Sequence, residues 1–178
     1  MRFQEMTPSM IVLLVGGILA IVVQLPIINE MFPIVALDAS GFDGGINLLS
    51  GFGDVDSDQV NGWTMLGMPG ILWWILLIIG GILCIVPAIH KFQPFIPEME
   101  LPIPGGLPFL LAIIGGILQI LIVLLILIGA NDDWDAYGVN MLDAGTGWAV
   151  GFGFYIMLIA AIVSIVGAIL LYLEEAAA

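Results

Sequence analysis

Apolar residues gather into four long blocks along this 178-residue chain, none with an Asp, Glu, Lys or Arg in its central stretch. The blocks run from about Pro8 to Ile28, Gly67 to Ile89, Pro108 to Gly129 and Gly147 to Leu173. A helix needs about 20 apolar residues to cross a hydrocarbon core, so each block predicts one transmembrane helix. Pro8, Pro69 and Pro108 stand at or near the predicted starts, where a missing backbone N–H does no harm. Pro26 and Pro87 fall near the predicted ends and are expected to kink or terminate the last turn. The first block is about twice as long as the apolar core of a signal peptide. Its leader carries Glu5 as well as Arg2, and no small-x-small site follows, so we expect it to be retained as a span.

The blocks also repeat. Val15-Gly16-Gly17-Ile18-Leu19 in the first resembles Ile114-Gly115-Gly116-Ile117-Leu118 in the third. Gly45-Ile46-Asn47-Leu48-Leu49-Ser50 matches Gly138-Val139-Asn140-Met141-Leu142-Asp143, and a Gly-Trp pair follows each, at Gly62-Trp63 and Gly147-Trp148. Ile78-Ile79-Gly80-Gly81-Ile82-Leu83 then pairs with Ile165-Val166-Gly167-Ala168-Ile169-Leu170. The order is the same in both halves, which chance likeness between Gly/Ile/Leu-rich helices does not readily produce. The expected fold class is an all-α integral membrane protein, with four transmembrane helices arranged as two tandem parallel hairpin repeats. Residues 1–93 form the first hairpin with a long outer loop at about 30–66. Residues 94–107 form a Pro-rich inner linker, with Pro94, Pro97, Pro102 and Pro104 favouring extended backbone, and residues 108–178 form the second hairpin with an outer loop at about 130–146. The matching Gly-x-Asn-x-Leu segments are expected to form short amphipathic turns on the membrane surface.

Charge sets the orientation. Arg2 and Lys91 are the only Lys or Arg residues, and both fall on the side shared by the termini and the middle loop, which the positive-inside rule makes cytoplasmic. All nine Asp residues lie in the two opposite loops, while Glu5, Glu98, Glu100, Glu174 and Glu175 lie on the proposed inner side. Trp63, Trp73, Trp74, Trp134 and Trp148 cluster toward the outer end, as an interfacial aromatic belt would. The expected location is a cell membrane, spanned several times, with both termini cytoplasmic.

Composition narrows the function. The chain is 61% hydrophobic and 10% charged with a formal net charge of −13, which leaves no basic surface for nucleic acid. A single cysteine, Cys84, excludes an intrachain disulfide. Asp54, Asp56 and Asp58 alternate like the opening of a calcium loop, and cations could collect at these acidic loops. Gln59 and Met65, however, stand where an EF-hand needs Gly and Glu, so a solvated acidic loop is the preferred reading. A looser site would add Asp132, Asp133 and Asp135. His90 has no neighbouring ligand types in sequence and is read as an interfacial anchor.

Within the spans, Gln24 and Gln119 are the clearest polar groups, expected to hydrogen-bond between helices. Small residues recur four apart at Gly16 and Ala20; Gly80, Cys84 and Ala88; Gly147 and Gly151; and Ala160, Ser164 and Ala168. Such rows allow close helix approach inside the bundle or against other chains. No catalytic constellation and no intramembrane carboxylate appears, which argues against enzymes, pumps and coupled transporters. Span number and the long first outer loop resemble claudin-type tetraspan proteins, but Trp63 lacks that family's paired loop cysteines, so the resemblance stops at topology. The expected role is a non-catalytic, cofactor-free scaffold or accessory subunit, in the lipid bilayer with copies of itself or other membrane subunits. A cation channel or permease with an acidic outer vestibule is the alternative.

Overall fold

The computed structural model describes residues 6–25, 35–36, 45–47, 51–52, 64–65, 68–90, 101–132, 149–150 and 152–177. Four helices carry the fold: α1 (Pro8–Val22), α2 (Gly70–His90), α3 (Gly106–Asp132) and α4 (Phe152–Ala176). Two of these contain stretches long and apolar enough to cross a membrane, Gly106–Leu125 and Phe152–Ala176; Pro8–Val22 and Ile75–His90 are shorter apolar stretches.

Helix ends depart from expectation for local reasons. α1 stops at Val22, and the chain tightens into i→i+3 hydrogen bonds from Gln24 N–H to Ile21 C=O and from Leu25 N–H to Val22 C=O. Leu25 precedes Pro26, and a proline disfavours helical backbone in the residue before it. α2 instead runs through Pro87 for three more residues to His90. α3 opens at Gly106, and both Gly105 and Gly106 have positive φ, a conformation that glycine adopts without a Cβ clash. α4 begins at Phe152, five residues later than the pattern predicted, because Ala149–Val150 is extended.

That extended pair belongs to the connections between helices. β1 (Val35–Ala36), β2 (Gly45–Asn47), β3 (Gly51–Phe52) and β6 (Ala149–Val150) form an antiparallel ladder in the order β3-β2-β1-β6. β4 (Thr64–Met65) and β5 (Met68–Pro69) form a separate two-stranded pair. Gly45–Asn47, expected as part of an amphipathic turn, is therefore a strand; its backbone groups pair with Val35–Ala36 and Gly51–Phe52. Val35 and Ala36 also pair with Val150 and Ala149, tying the first helix connection to the last.

The helices form a closed ring in which α1 packs on α2, α2 on α3, α3 on α4 and α4 back on α1. Every seam is antiparallel. Gly17 faces Gly81 and Ile85, while Ile21 faces Gly81. Gly115 faces Gly80 and Cys84; Gly116 faces Ile165; Gly16 faces Ser164 and Gly167 faces Leu13. At these positions an added Cβ would lie only 2.5–2.9 Å from its nearest neighbour, which is another helix's carbonyl oxygen at Gly17 and Gly115 and a packed side chain at the others, so a larger group fits only if the neighbour shifts. In α4 the buried positions Phe154, Met157, Ala161, Ser164, Ala168 and Leu171 recur at alternating spacings of three and four. That is the pattern of helices crossing at a shallow left-handed angle.

The contacts also shift one equivalence drawn between the halves. Gly80 lies opposite Gly115, and Ser164 lies opposite Gly16, so Ser164 occupies the place in the second hairpin that Gly80 holds in the first. The sequence match had paired Gly80 with Gly167, one helical turn further along.

The inner core contains Met10, Leu13, Cys84, Ala88, Ala112, Ala168 and Leu171, with Leu14, Phe109 and Ile113 packed against it. Trp73, expected in an interfacial belt, is instead 4% exposed inside the bundle, because it falls on the same inward row as Leu77, Gly80 and Cys84.

Gly115→Val tests the close approach, since its Cβ would sit 2.7 Å from the Gly80 carbonyl oxygen. We expect a loss of about 1–3 kcal/mol of stability, the usual cost of overpacking. The check is the thermal midpoint of purified protein, alongside Ile114→Val on the exposed face of α3, which should change little.

Candidate functional site

Two polar clusters lie within the helical bundle. The first is central. Ser164 Oγ–H of α4 donates to Gln119 Oε1 of α3 at 3.3 Å, Gln119 Nε2 donates to Cys84 Sγ of α2 at 3.4 Å, and Cys84 Sγ–H donates to the Ala112 carbonyl at 3.6 Å. Gln119 is 1% exposed and both Cys84 and Ser164 are fully buried. An amide buried away from water needs partners on both its oxygen and its nitrogen. Gln119 finds them on the two flanking helices and so stitches α2, α3 and α4 at one level. Gln24, also 1% exposed, donates through Nε2 to Met157 Sδ at 3.1 Å and joins α1 to α4 toward the other end.

Sequence reasoning placed both glutamines between helices. It did not foresee their partners, since Cys84, Ser164 and Met157 look like ordinary packing residues until the helices are docked.

The second cluster sits where α1 begins and α4 ends. Glu174 Oε1 accepts from the Ser9 backbone N–H at 3.0 Å, and Glu174 Oε2 accepts from Ser9 Oγ–H at 2.5 Å. Thr7 Oγ lies 2.9 Å from Ser9 Oγ, and the Thr7 N–H donates to Met10 Sδ at 3.4 Å. Ser9 is the second residue of α1, so its N–H has no partner within its own helix. The carboxylate of α4 takes the role that an N-cap side chain usually plays, and its charge meets the positive end of the α1 dipole. Glu175 approaches the other flanking N-terminus: a Cβ on Gly105, just ahead of α3, would lie 3.7 Å from Glu175 Cγ. Nothing in the sequence singled out Glu174, because its use depends on a serine 165 positions away.

The small residues foreseen as packing groups are all turned inward where they are described. Gly16, Ala20, Gly80, Cys84, Ala88, Ala160, Ser164 and Ala168 are buried. Gly147 and Gly151 lie outside the described residues, as do Asp54, Asp56, Asp58, Asp133, Asp135, Trp63, Trp134 and Trp148. Among the described residues no group of three or more His, Cys, Asp or Glu side chains is placed to hold a metal ion. Chemically, the two clusters can hold helices in register: Gln119 and Glu174 each bond to groups on a neighbouring helix.

Three substitutions separate these roles. Glu174→Ala should lower stability by about 1–2 kcal/mol, in the range of a lost cap in a partly buried setting. Glu175→Ala, at an exposed position, should cost less; equal effects in chemical denaturation would count against the cap. Gln119→Leu should cost about 1 kcal/mol, the usual net worth of an intramolecular hydrogen bond, and leave the bundle assembled by circular dichroism. No protein-family model, no curated protein and no solved structure matches the chain.

Proposed function

We propose that this chain is an integral membrane protein that crosses the bilayer four times as two tandem, parallel hairpins, with both termini cytoplasmic. In this reading it is a non-catalytic scaffold or accessory subunit.

The observation that carries the membrane reading is the inverted distribution of side chains. Outward positions hold Ile11, Val15 and Ile18 on α1, Ile75, Ile79 and Ile82 on α2, Ile114, Ile117 and Leu121 on α3, and Ile159, Ile162, Val166 and Ile169 on α4. Inward positions hold Gly16, Gly17, Ala20, Gly80, Gly81, Cys84, Gly115, Gly116, Gln119, Ala160 and Ser164. Water drives the opposite arrangement, and soluble monomers rarely expose contiguous apolar patches beyond a few hundred Å². Lipid reverses the preference: helices gain little by hiding isoleucine and associate through small residues, close packing and hydrogen bonds. The shorter α1 and α2 stretches fit the same reading, because they complete a ring whose outer face is apolar on every side.

The scaffold reading rests on what the bundle is made of. The polar groups of Gln119, Ser164 and Cys84 are engaged with one another, and Gly17 and Gly115 each approach the backbone of the neighbouring helix. That construction supports a rigid body presenting its connections to partners. Eight of the nine Asp residues lie in the outer connections and the ninth, Asp132, ends α3, which gives partners an acidic surface to recognise.

The test is the mass and composition of the particle extracted gently from native membranes. We expect larger subunits at fixed stoichiometry. A homo-oligomer of this chain alone, carrying a cation current that Asp54→Asn, Asp56→Asn and Asp58→Asn together reduce, would replace the scaffold with a channel.

A further inference from the structure

The two halves of the ring compare differently on its inside and on its outside. The glycine contacts make α1 the counterpart of α3 at a step of 99 positions, Gly16 to Gly115, and α2 the counterpart of α4 at a step of 84, Gly80 to Ser164. Carried along the helices, these steps match each position with the one in the same place of the other hairpin.

Inside, the halves have diverged. Gln119 stands where α1 has Ala20, Gln24 corresponds to Val123 of α3, and Cys84 stands where α4 has Ala168; all six are buried. Outside, they agree. Val15 corresponds to Ile114, Ile18 to Ile117 and Ile82 to Val166, and all six are exposed. Exposed aromatic side chains, Phe152, Tyr155 and Tyr172, stand only toward the ends of α4.

Divergence inside is what two unlike hairpins need in order to fit one another. Likeness outside is what a uniform surrounding asks for. A partner helix seated on one side would meet a different chemistry there from the side left bare, and the two halves would part outside as they do inside. The composition of the outer face points the same way. Between the levels of Tyr155 and Tyr172 the exposed side chains described on the four helices are Ile, Leu and Val, with no polar atom among them. The Gly, Ala, Ser and Cys residues of that stretch are buried, many of them in the seams of the ring. Interfaces between helices in lipid are enriched in such small residues, because they let backbones approach. Here they are used up within the chain. Fluid acyl chains need no close approach and carry no polar group to match.

Resting on the membrane reading above, we infer that lipid acyl chains, and no partner helix, cover the outer face of the ring on all four sides. Association with a second copy through the small-residue rows is excluded by the same construction. A larger membrane complex holds this chain by its ends and connections, with lipid between its helices and those of the neighbouring subunits.

The experiment probes the four sides separately at one depth. Ile18, Ile82, Ile117 and Ile162 are exposed, one on each helix, and each lies within a turn of a glycine contact. Each is replaced singly by a diazirine-bearing aliphatic residue of similar size, and the full chain is illuminated in its own membranes, with its natural partners present, after an alkaline wash. We expect phospholipid adducts, identified by mass, at all four positions in about equal yield. A discrete protein adduct at any of them, whether to another subunit or to a second copy of this chain, would overturn the inference, while lipid adducts at the remaining positions uphold the membrane reading. Water adducts at all four, with the chain released by the wash, would overturn both.

Discussion

Backbone-to-backbone approach at glycine is the constraint on which the rest of this structure depends. Gly17 against Gly81 and Gly80 against Gly115 bring helices so close that a single added carbon would collide with a carbonyl oxygen. In water a bundle can tolerate looser seams, since hiding any large apolar side chain is itself favourable. In the membrane setting we propose, that gain vanishes among acyl chains, and association depends on dispersion forces that fall off within an ångström of contact. Once the seams close, much else follows: the short buried polar chains, the inward row of small residues, and the isoleucines left over for the outer face.

The polar groups do a complementary job. Dispersion along a row of Gly and Ala is nearly the same after a slip of one helical turn, so it specifies register poorly. Gln119 discriminates, because only one register gives its amide both Ser164 and Cys84. Glu174 does the same for α1, whose second residue would otherwise begin the helix with an N–H unmatched by any helical carbonyl. Its placement also answers a problem in α4, where a carboxylate near a helix C-terminus is disfavoured by the dipole; the neighbouring N-terminus of α1 offsets this. Small residues set the distance between helices, and single polar residues set the register.

The two halves illustrate how far internal similarity can be carried. Gly16-Gly17 and Gly115-Gly116 occupy related places, each pair facing one neighbouring helix on either side. Gly80 and Gly167 look like counterparts in sequence, yet Ser164 takes the position that corresponds to Gly80. The reason is physical. Any small residue permits a close approach, so glycine and serine a turn apart compete for the same contact, and which one docks is settled by the opposite helix.

From the sequence alone came the four helical blocks, because runs of apolar residues on this scale need no knowledge of neighbours to be recognised. The places of Gln24 and Gln119 between helices were legible too, since an amide in an apolar block finds its partners on neighbouring segments. Tertiary structure decided what depends on partners distant in the chain: the union of Ser9 with Glu174, the burial of Trp73, the extended pairing of Val35–Ala36 with Ala149–Val150, and the inward use of the small-residue rows. A row of small residues at four-residue spacing can pack inside or outside equally well by its own chemistry. Only the closing of the ring, with α4 returning to α1, removes the choice.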